Sequence, residues 1–209
     1  MHKKILLICM LLLLVGCSRI EKTDNYKTII NKSMVVKINT NNVSLGYKYY
    51  IPKGIKKIND YNYNQVFLVD ESKIYLYVDI ISYYYKKELK HAKNEQAIYY
   101  EEFNKNQKNG YIEIQEYKEK YFLKMGYNYS KIEVYTDKEN LNKIIALSTI
   151  ILNSIDYNNN VIEKVLEGDF GEFSEISYKI EKPEDASNNF SQYLEEYVQK
   201  GKKEQLTEE

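Results

Sequence analysis

Tryptophan is absent from this sequence, arginine occurs once (Arg19), and there are only two cysteines, two histidines and two prolines. Each scarcity removes a class of chemistry. Both cysteines, Cys9 and Cys17, lie near the start, so no disulfide can staple the rest, which must be held by packing alone. After His2 the one histidine is His91, in the polar stretch Lys90-His91-Ala92-Lys93. Any Ser–His pair would have to use it, its lysine neighbours disfavour protonation, and no G-x-S-x-G turn is present. His91 therefore reads as a solvated surface residue. A zinc site needs three or four His, Cys or carboxylate ligands, and the eight glycines form no phosphate-cradling loop, so no cofactor is expected. Charge of neither sign is in excess, with 30 basic and 30 acidic residues, which gives no electrostatic case for nucleic acid.

The 209 residues are 44% hydrophobic and 29% charged, enough to bury one proper core. Lysine, asparagine, isoleucine and tyrosine dominate, all with A/T-rich codons. A low-GC genome accounts for that bias and weakens any argument from the count of 23 tyrosines. The N-terminus carries the sharpest pattern. His2, Lys3 and Lys4 precede an uncharged apolar run over residues 5–15, which is short for a bilayer span of roughly twenty residues and suits a signal peptide. It ends in Leu14-Val15-Gly16-Cys17, which resembles the lipobox of bacterial lipoproteins, where a small residue stands before an invariant cysteine. The resemblance implies a diacylglyceryl group on the Cys17 thiol and cleavage after Gly16. Two acyl chains anchor stably where one binds marginally. Loss of Lys3 and Lys4 with the signal leaves 28 basic against 30 acidic residues.

Residues 1–16 are thus expected to be a signal peptide and 17–42 a lipidated N-terminus and tether, with an α+β domain over 43–157 and a C-terminal extension over 158–209. In the tether, residues 18–33 read as polar, with a weak strand at 34–38. Residues 47–51 read as a strand stopped by Pro52, and 53–64 as a loop. A hairpin over 65–69 and 73–81 turns at Asp70, Glu71 and Ser72. Its second arm alternates, with Ile74, Leu76, Val78 and Ile80 on one face and Tyr75, Tyr77 and Asp79 on the other. That aromatic second face is expected to be partly covered. Residues 94–104 read as a helix with Ala97, Tyr100 and Phe103 inward, and Asn109-Gly110 as a turn into a strand at 111–117. Two more arms, 121–127 and 131–135, meet near Asn128. Thr136 and Glu139 form a capping box for a helix whose buried stripe is Leu141, Ile144, Ile145, Ser148, Ile151 and Leu152. Asp156 to Asn160 breaks the pattern. Residues 161–166 suit a helical turn or strand, 173–180 alternate like a strand, and Phe190, Tyr193, Leu194, Tyr197 and Val198 make an amphipathic helix closed by Gly201.

Asp60, Asn62, Asn64 and Glu71 occupy positions one, three, five and twelve of an EF-hand-like calcium loop. Gln65 stands where that loop needs glycine, and residues 66–69 read as strand, which argues against a metal site. Glu101-Glu102 and Glu195-Glu196, adjacent on expected helices, splay apart and read as solvated faces rather than a glycosidase pair. The tyrosines Tyr83, Tyr84, Tyr85, Tyr99 and Tyr100 are the candidate ligand-binding residues, since aromatic rings stack on sugars and serve interfaces. Core packing together with codon bias is the explanation preferred over ligand binding.

The order of strand, Pro52, hairpin, helix, three-stranded meander and a long helix ending in Leu152-Asn153-Ser154-Ile155 resembles the PsbP-like and DcrB-like envelope domains over residues 43–157. That resemblance implies an antiparallel sheet flanked by helices; with the strands read above, the expected fold is α+β, a sheet of about six strands with a C-terminal strand–helix extension that lies outside the resemblance. The resemblance also implies a non-catalytic module, expected first to assemble with another envelope protein. The second expectation is a solute- or glycan-binding lipoprotein with a tyrosine-rich cleft, and a carboxylate hydrolase comes third. The expected partners are the lipid bilayer, through acylated Cys17, and an envelope protein. Cys17→Ser should release the protein from the extracytoplasmic membrane face and abolish the mobility change that acylation causes, as followed by fractionation and gel electrophoresis.

Overall fold

The computed structural model describes residues 25–168 apart from residue 62. Cys17, Asn62, Glu195-Glu196 and the strand and helix expected at 173–180 and 190–198 lie outside the described residues. The fold is α+β, as expected: a seven-stranded antiparallel sheet flanked by helices, with a second sheet of three short strands.

Helix α1 (Tyr26–Met34) comes first, followed by β1 (Asn42–Ser44) and β2 (Tyr47–Tyr49). The main sheet is built from β3 (Lys56–Tyr61), β4 (Asn64–Val69), β5 (Ser72–Val78), β6 (Ala97–Lys105), β7 (Lys108–Tyr117), β8 (Lys120–Tyr127) and β9 (Ser130–Thr136). Its spatial order is β3-β4-β5-β9-β8-β7-β6. Helix α2 (Ile80–Tyr84) follows β5, and α3 (Lys138–Asn153), β10 (Asp156–Tyr157) and α4 (Asn159–Leu166) close the described chain. β10 joins β1 and β2 in the small sheet.

Period-two alternation dictates which face is buried. Ile74 and Leu76, Ile132 and Val134, Leu123 and Met125, and Ile112 and Ile114 occupy cross-strand positions on one face and are fully buried. Helix α3 lies on that face, and its expected stripe from Leu141 to Leu152 is buried throughout. Helix α1 packs on α3 in turn, and the Asn153 side chain donates to the Met34 carbonyl at 3.2 Å.

Several expectations are corrected. Part of the tether is helix α1: Asn25 caps it by accepting from the Thr28 amide at 3.0 Å, and Ile30 and Met34 are buried against the core. The helix takes Met34, and no strand forms at 34–38. The loop at 53–64 contains β3, an edge strand whose lysines and polar residues hide it from hydrophobic patterning. In place of the helix expected over 94–104, strand β6 runs from Ala97 to Lys105. Tyr99, Glu101 and Phe103 alternate with Tyr100, Glu102 and Asn104 along its pairing with β7, and the aromatic and β-branched content favours a pleated surface. The turn after β6 is Asn106-Gln107, both with positive φ, and Asn109 and Gly110 lie in β7. Gly110 is required there because a Cβ would sit 2.4 Å from the Phe103 ring. Thr136 is no cap. It ends β9, fully buried, bonded to the Ser72 hydroxyl at 3.1 Å, while Asp137 stands at the N-cap without a side-chain cap bond. Ile80 starts α2 instead of extending β5.

The domain also runs past residue 157. Asn158 caps α4, its amide donates to the Gly46 carbonyl at 2.8 Å, and Ile162 is fully buried. Gly46 has φ of 83° and lies so close that a Cβ would be 2.8 Å from Ile162. Ile162→Ala should therefore destabilise the whole domain by about 3 kcal/mol, measured as a single cooperative shift in urea unfolding.

Candidate binding cleft on the outer face of the sheet

The face of the sheet turned away from α3 carries two adjoining cross-strand rows. One runs Tyr77, Lys131, Gly126, Tyr111, Glu102, and the next runs Tyr75, Glu133, Lys124, Glu113, Tyr100. The partial cover expected over Tyr75 and Tyr77 is present: both are half-buried. The connection from α2 to β6, residues 85–96, crosses this face as a strap.

The strap is fastened at one place. Gly126 leaves room for the Tyr111 ring, since a Cβ there would fall 2.3 Å from it. The His91 ring stacks on Tyr111, with centroids 3.6 Å apart and planes within 5°. Its Nε2 lies 3.1 Å from Glu113 Oε2, which also accepts from the Asn94 amide at 2.9 Å. Gln115 donates to the other carboxylate oxygen at 2.8 Å, with Lys124 at 3.8 Å. The Glu113 side chain is only 1% exposed. Burial alone would raise its pKa, but the Asn94 amide, Gln115, His91 and Lys124 together outweigh burial and hold it below the usual carboxylate range. His91 is thus a packed anchor rather than a solvated surface residue.

Between the strap and the sheet lies an open cavity of about 850 Å³. Its strap side is Leu89, Lys90 and His91, its floor Tyr77, Lys131, Gly126 and Tyr111. The β8–β9 turn, Asn128-Tyr129, closes one end, with Asn104 and Asn109 from the β6–β7 hairpin. Both turn residues have positive φ, and the Tyr129 carbonyl accepts from the Asp79 amide at 2.9 Å. Lys131 sits 4.7 Å over the Tyr77 ring and pairs with Glu133 at 2.8 Å. Asp79 and Glu102 supply acidic oxygens to the lining.

None of the five candidate tyrosines lines this cavity. Tyr83 stacks on Tyr157 at 3.7 Å and meets Tyr129 edge-on. Tyr84 meets Tyr85 edge-on. Tyr99 turns to the opposite face against Tyr26, its hydroxyl on Glu101. Tyr100 lies 5.9 Å from His91, and burial followed by its bond to Glu102 pushes its pKa up to about 12. The cleft's own aromatics are Tyr77 on β5, Phe103 on β6, Tyr111 on β7, Tyr127 on β8 and Tyr129 in the β8–β9 turn, mostly far apart in sequence. Gly126 within an alternating strand is the one local sign that a ring crosses there.

The calcium-loop reading fails on geometry. Asp60 and Asn64 flank the β3–β4 turn, whereas Glu71 lies beyond the far end of β4, roughly 20 Å of strand away. Asp60 is already engaged by Lys57 and by Gln65. Among the described residues no group of three His, Cys, Asp or Glu could hold a metal ion. Glu101 and Glu102, on a strand rather than a helix, point to opposite faces, Glu101 being bound by Lys27.

Glu113→Ala should cost about 1–3 kcal/mol and free the Asn94 amide to hydrogen exchange. Because the folded pKa of Glu113 is depressed, the stabilisation is complete above the unfolded carboxylate value. It disappears as pH falls through the folded one, so Asn94 protection should be lost only below the ordinary carboxylate range.

Comparison with protein-family models gives no match to this chain, and neither the curated proteins nor the solved structures contain a match.

Proposed function

We propose that this chain is a non-catalytic, membrane-anchored lipoprotein of the extracytoplasmic face whose cleft binds a small polyhydroxylated ligand, such as a cell-wall glycan fragment. The observation that carries this reading is the cavity of about 850 Å³, within the usual range for small-molecule sites. Tyrosine rings on its floor offer flat apolar contact, and Asn104, Asn109 and Asn128 offer neutral donors and acceptors suited to hydroxyl groups. The anchor is supported by Leu14-Val15-Gly16-Cys17. No helix among the described residues is long and apolar enough to cross a membrane.

Two observations favour the cleft over the competing roles. Assembly with another envelope protein would draw on apolar surface; Ile58 and Ile98 sit singly at the bulged outer strands of the main sheet, and the exposed Val35, Val36 and Val43 stand beside Lys37 and Lys48. A hydrolase would need free carboxylates; Glu101, Glu113 and Glu133 are each paired with a lysine, Asp79 caps α2 by accepting from the Ser82 amide, and Glu102 accepts from the Tyr100 hydroxyl.

Calorimetric titration with N-acetylglucosamine oligomers and muropeptides tests the reading. Saturation at a hundred times Kd should stabilise the protein by about 2.7 kcal/mol. Tyr77→Ala should weaken binding at least tenfold, whereas Ile58→Ala should leave it unchanged. Absence of heat and of any melting shift at millimolar ligand would remove the glycan-binding role.

A further inference from the structure

A second surface, outside the cleft, combines exposed aliphatic and basic side chains. Val35 and Val36 follow α1 directly and are 71% and 48% exposed, and Val43 on β1 is 78% exposed. Val43 pairs across the strands with Lys48, and Val36 shares a groove of about 510 Å³ with Lys48 and Lys108. Lys37, also exposed, adjoins Val36. The one acid lining that groove, Asp156, is paired to Lys48 at 3.0 Å. Single exposed valines are ordinary, but three gathered among lysines suit a negatively charged, half-apolar environment.

The chain itself says what lies nearby. If Cys17 carries the lipid, residues 18–25 are all that separate the bilayer from α1, at most about 29 Å when fully extended. A domain of this size is roughly 38 Å across, so the tether is shorter than the domain is wide and keeps the surfaces around α1 close to the lipid. We infer that the Val35, Val36 and Val43 patch, with Lys37, Lys48 and Lys108, seats on the headgroup layer of an anionic bilayer. The valines enter the interface and the lysines meet phosphate. This inference rests on the anchored-lipoprotein reading and sets the orientation of the cleft relative to the membrane.

The scarcity of cysteine makes the test clean, because acylated Cys17 leaves an introduced thiol as the sole target for labelling. The mature acylated protein carrying Val43→Cys or Val36→Cys is labelled with a nitroxide and reconstituted into phosphatidylcholine vesicles containing about a third phosphatidylglycerol. A label at Glu71→Cys, in the exposed β4–β5 turn at the other end of the sheet, is the reference. Collision with a water-soluble nickel complex should be at least fivefold lower at 36 and 43 than at 71. Adding Lys37→Glu and Lys108→Glu should restore it. Equal accessibility at all three positions in protein that floats with the vesicles overturns the orientation alone. Protein that does not float at all overturns both the orientation and the anchor.

Discussion

Burial of one face of the seven-stranded sheet beneath α3 is the contact on which the remaining structure depends. Strand alternation places Ile, Leu, Val and Met on that face in every central strand, and α3 answers with its own unbroken stripe. Once the register is set by that burial, the other face is determined as well, because a slip of one residue would turn every core side chain outward. The rows that carry Tyr77, Lys131, Gly126 and Tyr111 therefore owe their alignment to residues they never touch. No disulfide assists within the described residues, so the cleft is as firm as the packing behind it.

The elements that sequence patterning reads well are those whose own residues decide their environment. The β5 strand and the α3 helix each carry a complete apolar period. Where context decides, patterning misleads. Ala97, Tyr100 and Phe103 recur at helical spacing by coincidence, and pairing with β7 turns that segment into strand. β3 reads as a loop because an edge strand needs charge more than hydrophobicity. Helix α1 reads as a tether because only Ile30 and Met34 of its nine residues are buried apolar groups, with their partner α3 more than a hundred residues away.

The cleft shows the same division. The partial cover of Tyr75 and Tyr77 follows from strand alternation, but the strap that faces Tyr77 across the cavity has no periodic pattern of its own. His91, flanked by lysines, looks solvated in one dimension; in three it lies between Tyr111 and Tyr100 and beside a buried carboxylate. Runs of neighbouring tyrosines drew attention to positions that serve packing. The rings that line the cavity come from β5, the strap, β6, β7 and the β8–β9 region and meet only through the fold.

Both outer strands of the main sheet are interrupted by a bulge, between Lys57 and Asn59 on β3 and between Ala97 and Tyr99 on β6. For a protein confined to a surface this matters more than in bulk solution, because molecules held in two dimensions meet repeatedly with their sheets similarly oriented. Two unbroken outer strands would then add to one another as a continuous ribbon. The extra residue on each rim spoils the hydrogen-bond ladder for an incoming neighbour.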